Sequence, residues 1–376
     1  MSRSLKTGCM ASQYSQTTAT SEIASVNCAA RGSRVSLAAK LRRSFEVEGN
    51  LATRISQGGA VGDRTKFDCG DLRLQVSSHR GARAQVLDRF CPDSIGDQMS
   101  DVVLIERDGP ITRVKLNRPE KRNALSGEVW EALYETGQTI LGEEQTRVVV
   151  LSGEGQSFSS GLDLSSLGGG LLGSLSSAVA GGGETEGKAV DPLAEIMRLQ
   201  DAFSWLEYGP FVSIAAVQGY ALGAGWQLAL ACDFTIAVED ATFGLLETNY
   251  GLVPDMGGTV RLARSTGVSI AKQLILTGRR IGALEAHAIG AVAQVVTADE
   301  LDQVVADSAA EVVRRSPTAI RLAKELITKA PTRKIEKALK AEAKSQIEAI
   351  ASADFREAIS AFMQRRDPDF TSAGQS

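Results

Sequence analysis

The segment with the clearest potential for chemistry is a glycine-rich turn, Gly219-Tyr-Ala-Leu-Gly223-Ala-Gly225, which follows an apolar segment and opens an apolar helix. Three interpretations fit it. Its G-x-x-x-G-x-G spacing differs from the G-x-G-x-x-G of a dinucleotide-binding loop, which argues against a nicotinamide enzyme. Glycines also allow a helix to pack closely on a sheet. Alternatively, the turn exposes backbone N–H groups at a helix N-terminus, where they favour an anion or a developing oxyanion.

A second turn has similar potential. The stretch Ser157-Phe-Ser-Ser-Gly161-Leu-Asp163-Leu follows the apolar segment Arg147–Ser152, and Gly161 allows the backbone to turn tightly. Two turns at the ends of separate strands can each supply one N–H donor to the same carbonyl oxygen. Two such donors are the minimum that an enzyme needs to stabilise a thioester enolate.

Other kinds of catalytic site find little support in the residue types. The two histidines, His79 and His287, have no adjacent nucleophile pattern, which argues against histidine triads and multi-histidine metal sites. We predict a surface or half-buried position on a helix for His287. No G-x-S-x-G elbow is present. The five cysteines match no zinc spacing, and only Cys232 lies beyond residue 98, which favours a reducing environment. We therefore expect no metal site.

Composition is that of a soluble globular protein with a basic leading segment. Hydrophobic residues make up 43% and charged residues 23% of the 376 positions, and the net charge is −4. This charge gives no electrostatic case for binding nucleic acid, and no apolar run approaches the ~20 residues of a membrane span. Residues 1–98 hold 14 Lys and Arg against 9 Asp and Glu, so the excess of acidic groups lies in the remainder.

Residues 1–98 are predicted to form a low-order extension, because they show no sustained helical or strand periodicity. The first 45 residues are basic, rich in Ser and Thr and poor in acids, which fits a mitochondrial or plastid transit peptide. The alternative is an extension without a folded role, or a start codon placed too far upstream, since Met99 directly precedes the first predicted strand. We favour this alternative and a cytoplasmic protein, whereas a transit peptide would make it mitochondrial.

Beyond residue 98, strands alternate with helices, which predicts a mixed α/β fold with parallel strands in a core over 99–305 and a helical region over 306–376. Residues Leu164–Lys188 are rich in Gly and Ser, which indicates a mobile surface loop. The predicted strands are Val102–Glu106, Ile111–Leu116, Arg147–Ser152, Phe211–Val217 and Phe234–Val238; the predicted helices run from the N-cap Ser126 to Leu141, over Leu193–Glu207, over Trp226–Ala231 and over Ser308–Phe362 with breaks at Pro317 and Pro331.

Four ordered blocks in this chain resemble the crotonase superfamily, the enoyl-CoA hydratase/isomerase family, over roughly residues 101–370. They are Leu116-Asn-Arg-Pro-Glu-Lys-Arg-Asn-Ala-Leu125, Phe158–Leu164, Ile214–Asp233 and Phe243–Leu262, with weaker later matches at Leu276-Thr-Gly-Arg279 and Phe362-Met-Gln-Arg-Arg366. Their order and spacing together are highly specific. The resemblance implies an α/β crotonase-like ββα spiral core with a C-terminal helical region, assembled as homotrimers or homohexamers.

The resemblance also implies roles for particular residues. The backbone N–H groups of Leu162 and Ala224 correspond to the family's oxyanion hole. Glu247 is the candidate general acid or base, and Asp255 either assists it or merely caps the next turn. The positions that resemble contacts to substrate and coenzyme A are Lys121, Arg122, Ala124, Ser160, Gly161, Asp163, Leu164, Gly223 and Gln227. Lys121 and Arg122 alone would equally fit a solvated turn. Coenzyme A is then part of the substrate, and we expect no separate cofactor.

The acid and base positions separate two reactions. Family hydratases carry one glutamate after the glycine-rich turn and another in the F-G-x-x-E block, whereas this chain has Gln227 and Glu247 there. A glutamine can orient water but cannot exchange a proton at neutral pH. Moving a double bond from the 3 to the 2 position needs one carboxylate, which takes a C2 proton and returns one at C4; hydration is easier with two acids. We therefore favour an isomerase, with a 2-enoyl-CoA hydratase or a non-catalytic acyl-CoA carrier as alternatives.

Overall fold

The structure is a computed structural model that describes residues 101–163 and 191–370, together with the backbone of five short strands elsewhere. The chain divides into two units, Met1–Asp97 and Gln98–Ser376. In the first unit, β1 (Arg64–Cys69), β2 (Leu72–Ser77) and β3 (Gln85–Val86) form an antiparallel sheet. The sequence predicts no strands in this unit, so these three strands correct that prediction. They were missed because the alternation of apolar and polar residues in β2 is too short to form a sustained periodicity.

The second unit alternates strands and helices. Its strands are β4 (Val103–Asp108), β5 (Ile111–Leu116), β6 (Val148–Gly153), β7 (Glu184–Thr185), β8 (Lys188–Ala189), β9 (Val212–Val217), β10 (Tyr220–Leu222), β11 (Phe234–Val238), β12 (Thr242–Gly244), β13 (Ile281–Gly282) and β14 (Gln294–Val296). Its α-helices are α1 (Gly127–Leu141), α2 (Pro192–Tyr208), α3 (Ala224–Ala229), α4 (Gly258–Thr266), α5 (Val268–Thr277), α6 (Ala283–Ala288), α7 (Leu301–Val313), α8 (Pro317–Lys329), α9 (Ile335–Ala351) and α10 (Ala353–Gln364). Short 3-10 helices span Pro119–Lys121, Glu247–Tyr250, Ala298–Glu300 and Ala330–Thr332.

A six-stranded sheet in the order β14-β11-β9-β6-β5-β4 forms the centre of this unit. Strands β4 and β5 form an antiparallel hairpin, and all further pairings in the sheet are parallel. The apolar run in β6 is buried because the strand lies between β5 and β9. Helix α7 packs against β6, β9 and β11. The predicted mixed α/β fold with parallel strands is confirmed.

Helices α1 and α2 pack against each other, and aromatic side chains fill their interface. The rings of Trp130 and Phe203 stack with centroids 4.6 Å apart. Trp205 of α2 also meets Phe211, which precedes β9, edge to face at 5.9 Å. These contacts fix α2 beside the main sheet, so that its side chains can line a cavity next to the loop that follows β12.

A small sheet carries the glycine-rich turn. Strand β10 pairs in parallel with β12, and β12 pairs in antiparallel fashion with β13. Helix α3 follows β10 and starts at Ala224, two residues earlier than predicted, because Gly223 adopts a φ of +52° as its N-cap. Trp226 of α3 packs beside Phe243 of β12, with ring centroids 5.6 Å apart. The helix N-terminus is thereby held close to the end of β12.

Helices α7–α10 form the predicted helical region after the core. The predicted breaks lie where expected: Pro317 is the first residue of α8, and Pro331 lies in the 3-10 helix Ala330–Thr332. Polar contacts join this region to the core, and Lys324 is prominent among them: its Nζ lies 2.8 Å from the Asp233 carboxylate. No helix within the described ranges is both long and apolar enough to cross a membrane.

Candidate functional site

The two turns singled out in the sequence lie side by side. The Ser159 N–H donates to the Tyr220 carbonyl at 2.8 Å, and the Leu222 N–H donates back to the Ser159 carbonyl at 3.0 Å. Gly161 adopts a φ of +91°, and a Cβ atom at this position would lie 2.4 Å from the Leu222 carbonyl oxygen. Only glycine fits such a conformation in such a space. The close approach brings Gly161 next to the start of α3.

Two neighbouring backbone N–H groups have no acceptor among the described residues. They belong to Leu162 and Ala224, and the N–H of Ala224 is free because it opens α3. The groups beside them are engaged: the Gly223 N–H donates to Gly244 at 2.7 Å, and the Asp163 N–H donates to Leu125 at 3.1 Å. This arrangement leaves two donors close together for an external oxygen.

Glu247 lies beside these donors. It begins the 3-10 helix that follows β12, and its Oε1 would lie 3.4 Å from a Cβ atom placed on Gly223. Its Oε2 is buried and has no hydrogen-bond partner among the described residues. Burial raises the pKa of the Glu247 carboxyl, its own nearby backbone N–H and a hydrogen bond from Gln227 lower it, and the charge of Asp255 adds a smaller rise. A carboxyl with a raised pKa is suited to exchange protons near neutral pH.

Gln227 occupies the position after the glycine-rich turn where a pair of catalytic carboxylates would need a second glutamate. Its side chain is only 1% exposed, and its Nε2 donates to Glu247 Oε1 at 2.7 Å. Its Oε1 accepts from the N–H groups of Met256 and Gly258, both at 2.9 Å. The predicted contact of Gln227 with water or substrate stays a prediction, and in this structure its carboxamide is engaged by Glu247 and by the loop.

Asp255 lies on the other side of that loop. It is half-buried, burial raises the pKa of its carboxyl, and the residue lines a cavity of about 420 Å³ between α2 and α4. Gln200 of α2 fixes the loop by donating to the Asp255 carbonyl at 2.6 Å. The N-cap of α4 is Gly257, without a side-chain capping bond, so Asp255 does not cap the next helix. The charge of Asp255 raises the pKa of Glu247, and its assistance in catalysis stays a prediction.

Several predicted coenzyme A contacts gather at one surface beside the Gly161 turn. Lys121 and Arg122 are exposed, and the Ser160 N–H donates to the Arg122 carbonyl at 2.8 Å. The Arg122 guanidinium lies over the Tyr220 ring at 5.4 Å, which connects this surface to the glycine-rich turn. Ala124 is buried nearby at 7% exposure. Leu164 and most of the predicted loop Leu164–Lys188 lie outside the described residues; β7 and β8 form a short hairpin at its end.

The Asp163 side chain has a structural partner that its predicted role did not include. Arg118 Nη1 lies 3.0 Å from the Asp163 carboxylate and donates to the Ala124 carbonyl at 2.6 Å. Asn123, with a φ of +54° and 1% exposure, donates to the carbonyls of Glu154 and Ser157. Arg118 and Asn123 thus hold the Gly161 turn in place. Sequence reasoning quoted both within a block but assigned them no role.

Metal-binding and histidine chemistry find no further candidates here. Across residues 101–163 and 191–370, no group of three or more His, Cys, Asp or Glu side chains could hold a metal ion. His287 lies exposed on α6, as predicted. Cys232 is a buried free thiol whose pKa burial raises far above its ordinary value, so it is inert as a nucleophile.

Comparison with known proteins places these features in a family. Residues 106–373 match the family model for enoyl-CoA hydratase/isomerase. The chain is 35% identical to the human mitochondrial enoyl-CoA hydratase domain-containing protein 2, over 73% of this chain and 90% of that protein. It is 33% identical to the 2,3-dehydroadipyl-CoA hydratase of Escherichia coli, over 72% and 99%.

Solved structures agree. The crystal structure of an enoyl-CoA hydratase from Bacillus anthracis has a TM-score of 0.63 and 34% identity, covering 72% of this chain and 98% of that one. A putative enoyl-CoA hydratase from Thermobifida fusca, solved with acetoacetyl-CoA, has a TM-score of 0.59 and 34% identity, covering 67% and 95%. The predicted crotonase-like α/β core with a C-terminal helical region is confirmed.

Proposed function

This chain belongs to the enoyl-CoA hydratase/isomerase family, and we propose that it converts 3-enoyl-CoA thioesters into 2-enoyl-CoA thioesters. One observation carries the preference for isomerisation. Glu247 is the carboxyl that adjoins the two free N–H donors, and its neighbour Gln227 cannot titrate. A reaction that needs one proton shuttle fits this arrangement better than a reaction that needs two acids.

The proposed reaction begins with the thioester oxygen between the N–H groups of Leu162 and Ala224. Glu247, as carboxylate, removes a proton from C2, and the electrons flow through the carbonyl to give a dienolate whose charge the two N–H groups stabilise. The double bond shifts from position 3 to position 2 when the same carboxyl returns a proton at C4. The carboxylate is thereby regenerated, and no water is consumed.

Hydration of 2-enoyl-CoA is the second candidate, and the names of the relatives favour it. Under this alternative, Glu247 and Asp255 share the work of activating water and delivering a proton. We favour it less, because Asp255 lines a cavity between α2 and α4, and the Gln227 oxygen is already engaged by two backbone N–H groups.

Product analysis separates the two reactions. The purified protein is incubated with a 3-enoyl-CoA and, separately, with a 2-enoyl-CoA, and the products are resolved by chromatography and mass. We expect a 2-enoyl-CoA from the first and little 3-hydroxyacyl-CoA from the second. Fast formation of 3-hydroxyacyl-CoA from 2-enoyl-CoA, without isomerisation of the 3-enoyl substrate, would refute the proposal.

A non-catalytic acyl-CoA carrier would use the same pocket. Titration of acyl-CoA binding by calorimetry, run beside the turnover assay, tests this possibility directly. Binding of acyl-CoA without turnover of any enoyl-CoA in a substrate panel would establish the carrier. The buried carboxyl of Glu247 argues against a carrier, because a binding pocket gains nothing from an unpartnered Oε2.

Three further parts of the proposal follow from family membership. The substrate's own coenzyme A is the only cofactor involved, and it lies along the surface formed by Lys121, Arg122 and Ser160. The protein assembles as a homotrimer or homohexamer, which the exposed apolar side chains of the last helices support: Ile347 is 70% and Phe362 79% exposed. We propose a cytoplasmic location, with mitochondria as the alternative if residues 1–98 direct import.

A further inference from the structure

Gln227 holds a position from which it can control the proton on Glu247. Its carboxamide oxygen faces two backbone N–H groups, of Met256 and Gly258, and both distances are 2.9 Å. An NH2 group could not replace that oxygen without opposing two donors, so the amide has one possible orientation. The Nε2 group must therefore face Glu247.

This orientation makes the two oxygens of Glu247 unequal. Oε1 receives a hydrogen bond from Gln227 Nε2 at 2.7 Å and so acts as an acceptor. Oε2 is buried and has no partner among the described residues. A proton placed on Oε1 would compete with the Gln227 N–H for that oxygen and weaken the bond, whereas a proton on Oε2 leaves the bond intact.

We propose that Gln227 is a positioning residue that fixes the Glu247 carboxyl to the loop after β12 and directs the exchangeable proton to Oε2. This inference rests on the proposed function, because positioning Glu247 affects catalysis when Glu247 is the proton shuttle. Gln227 itself touches no substrate in this account: it acts through Glu247. It also explains why an untitratable residue is so deeply buried in the site.

Few charged groups surround Glu247 in the described ranges. Asp255 lies on the loop that Gln227 binds, the exposed Lys272 lies on α5, which packs against the 3-10 helix, and Arg280 passes beside Gly244. Of these, Asp255 raises the pKa of Glu247. The hydrogen bond from Gln227 opposes this by stabilising the carboxylate, so its loss should raise the pKa.

The test is a titration that needs no turnover. Glutamate labelled with carbon-13 at the side-chain carboxyl is incorporated into the full chain, and the Glu247 signal is identified by its disappearance in Glu247→Gln. In Gln227→Met, which preserves length and removes both the donor and the acceptor, we expect the Glu247 pKa to rise. An unchanged pKa in a folded Gln227→Met protein would overturn the proposal.

A second variant covers the case in which Gln227→Met does not fold. Gln227→Glu keeps an acceptor for both backbone N–H groups but places a second carboxyl oxygen opposite Glu247 Oε1. Two carboxyls at this distance share one proton, so we expect two titration steps belonging to the pair. A Glu247 signal that titrates as in the wild type would contradict the proposal.

Kinetics then distinguish positioning from a merely structural role. Gln227→Met is expected to lower kcat about tenfold or more in the Glu247-containing enzyme and to cost nothing further in the Glu247→Gln background. Equal losses in both backgrounds would contradict action through Glu247. Because the titration uses no substrate, a failure to isomerise 3-enoyl-CoA would refute the proposed function and leave the outcome for Gln227 readable.

Discussion

Two carboxylates of this chain differ in their hydrogen-bond and ion-pair partners: Asp233, which directly precedes β11, and Glu247, which follows β12. Asp233 Oδ2 meets the Lys324 ammonium at 2.8 Å and accepts from the Ser213 N–H at 2.7 Å. Glu247 has one neutral donor on Oε1 and none on Oε2. The first carboxylate has its charge compensated and joins α8 to the core. Burial raises the pKa of both carboxyls, but Glu247 keeps a buried Oε2 without a partner among the described residues, and it is thus the one available for chemistry.

The largest expected effect separates the two carboxylates by activity. Glu247→Gln removes the proton shuttle, so kcat should fall about 10²–10⁴-fold, the usual contribution of a general acid or base. The exposed Glu239 offers a matched control, and Glu239→Gln should retain full turnover. Steady-state kinetics with 3-enoyl-CoA measure both. Undiminished turnover in Glu247→Gln would end the assignment of Glu247.

The next-largest expected effect is on protein stability, and it concerns the Asp233 carboxylate rather than Glu247. Lys324→Met keeps the apolar stem but leaves Asp233 and two main-chain carbonyls, of Leu206 and Phe211, without their shared donor. We expect the free energy of unfolding to fall by about 2–3 kcal/mol, with kcat per folded molecule unchanged. Urea unfolding and active-site titration check this. Loss of turnover without loss of stability would show that the Asp233 region belongs to the catalytic machinery.

Gln227→Glu makes the environment of Glu247 resemble the paired carboxylates of a hydratase. The variant supplies a second titratable group 2.7 Å from Glu247 Oε1, at the position now held by Nε2. We expect hydration of 2-enoyl-CoA to rise about tenfold above the wild-type rate, because two acids can divide the proton transfers. Gln227→Met serves as the control, since it supplies no acid and should show no increase in 3-hydroxyacyl-CoA.

The smallest effect concerns the charge that acts on Glu247 from across the loop. Asp255 raises the pKa of Glu247, so Asp255→Asn should lower it. Because the reaction begins with the Glu247 carboxylate, the acidic limb of the kcat/KM profile should move to lower pH, with at most a few-fold change in the plateau. A shift of that limb to higher pH would show that Asp255 acts in another way than by its charge.

The linkage of Glu247 to stability has a definite sign. Its folded-state pKa is raised above the ordinary value, so the folded state binds the proton more tightly than the unfolded state does. The contribution of Glu247 to stability is therefore fully present below the unfolded pKa and is lost as the pH rises through the folded pKa. Urea unfolding of wild type and Glu247→Gln across this range should show a wild-type stability that falls more steeply with rising pH, by the share that Glu247 contributes.

Much of this arrangement is predictable from local sequence. Strands Ile111–Leu116 and Phe234–Val238 were predicted with their observed bounds, because their apolar patterns are short and bounded by turn residues. The start of α3 was predicted two residues too late, because Gly223 takes a positive φ that depends on the packing of the turn. The residues beside Gly161 were placed by their ordered blocks, which carry positional information beyond periodicity.

The partners of the polar side chains were not predictable in the same way. Gln227 forms hydrogen bonds with Glu247 and with two N–H groups of the loop, which lie 20, 29 and 31 positions away along the chain. Arg118 pairs with Asp163 across 45 positions. No spacing rule connects such residues, because the contacts exist only after the small sheet has brought β10 and β12 together. Fold follows from local pattern here, whereas the character of each carboxyl follows from tertiary packing.

The most direct test of the lone-carboxyl account follows the proton itself. A 3-enoyl-CoA deuterated at C2 is converted in ordinary water, and the position of deuterium in the product is read by NMR and mass spectrometry. We predict 2-enoyl-CoA in which Glu247 has carried part of the deuterium to C4. In the Glu247→Gln variant we predict no deuterium transfer to C4. Formation of 3-hydroxyacyl-CoA as the main product, or the same transfer in Glu247→Gln, would contradict the account.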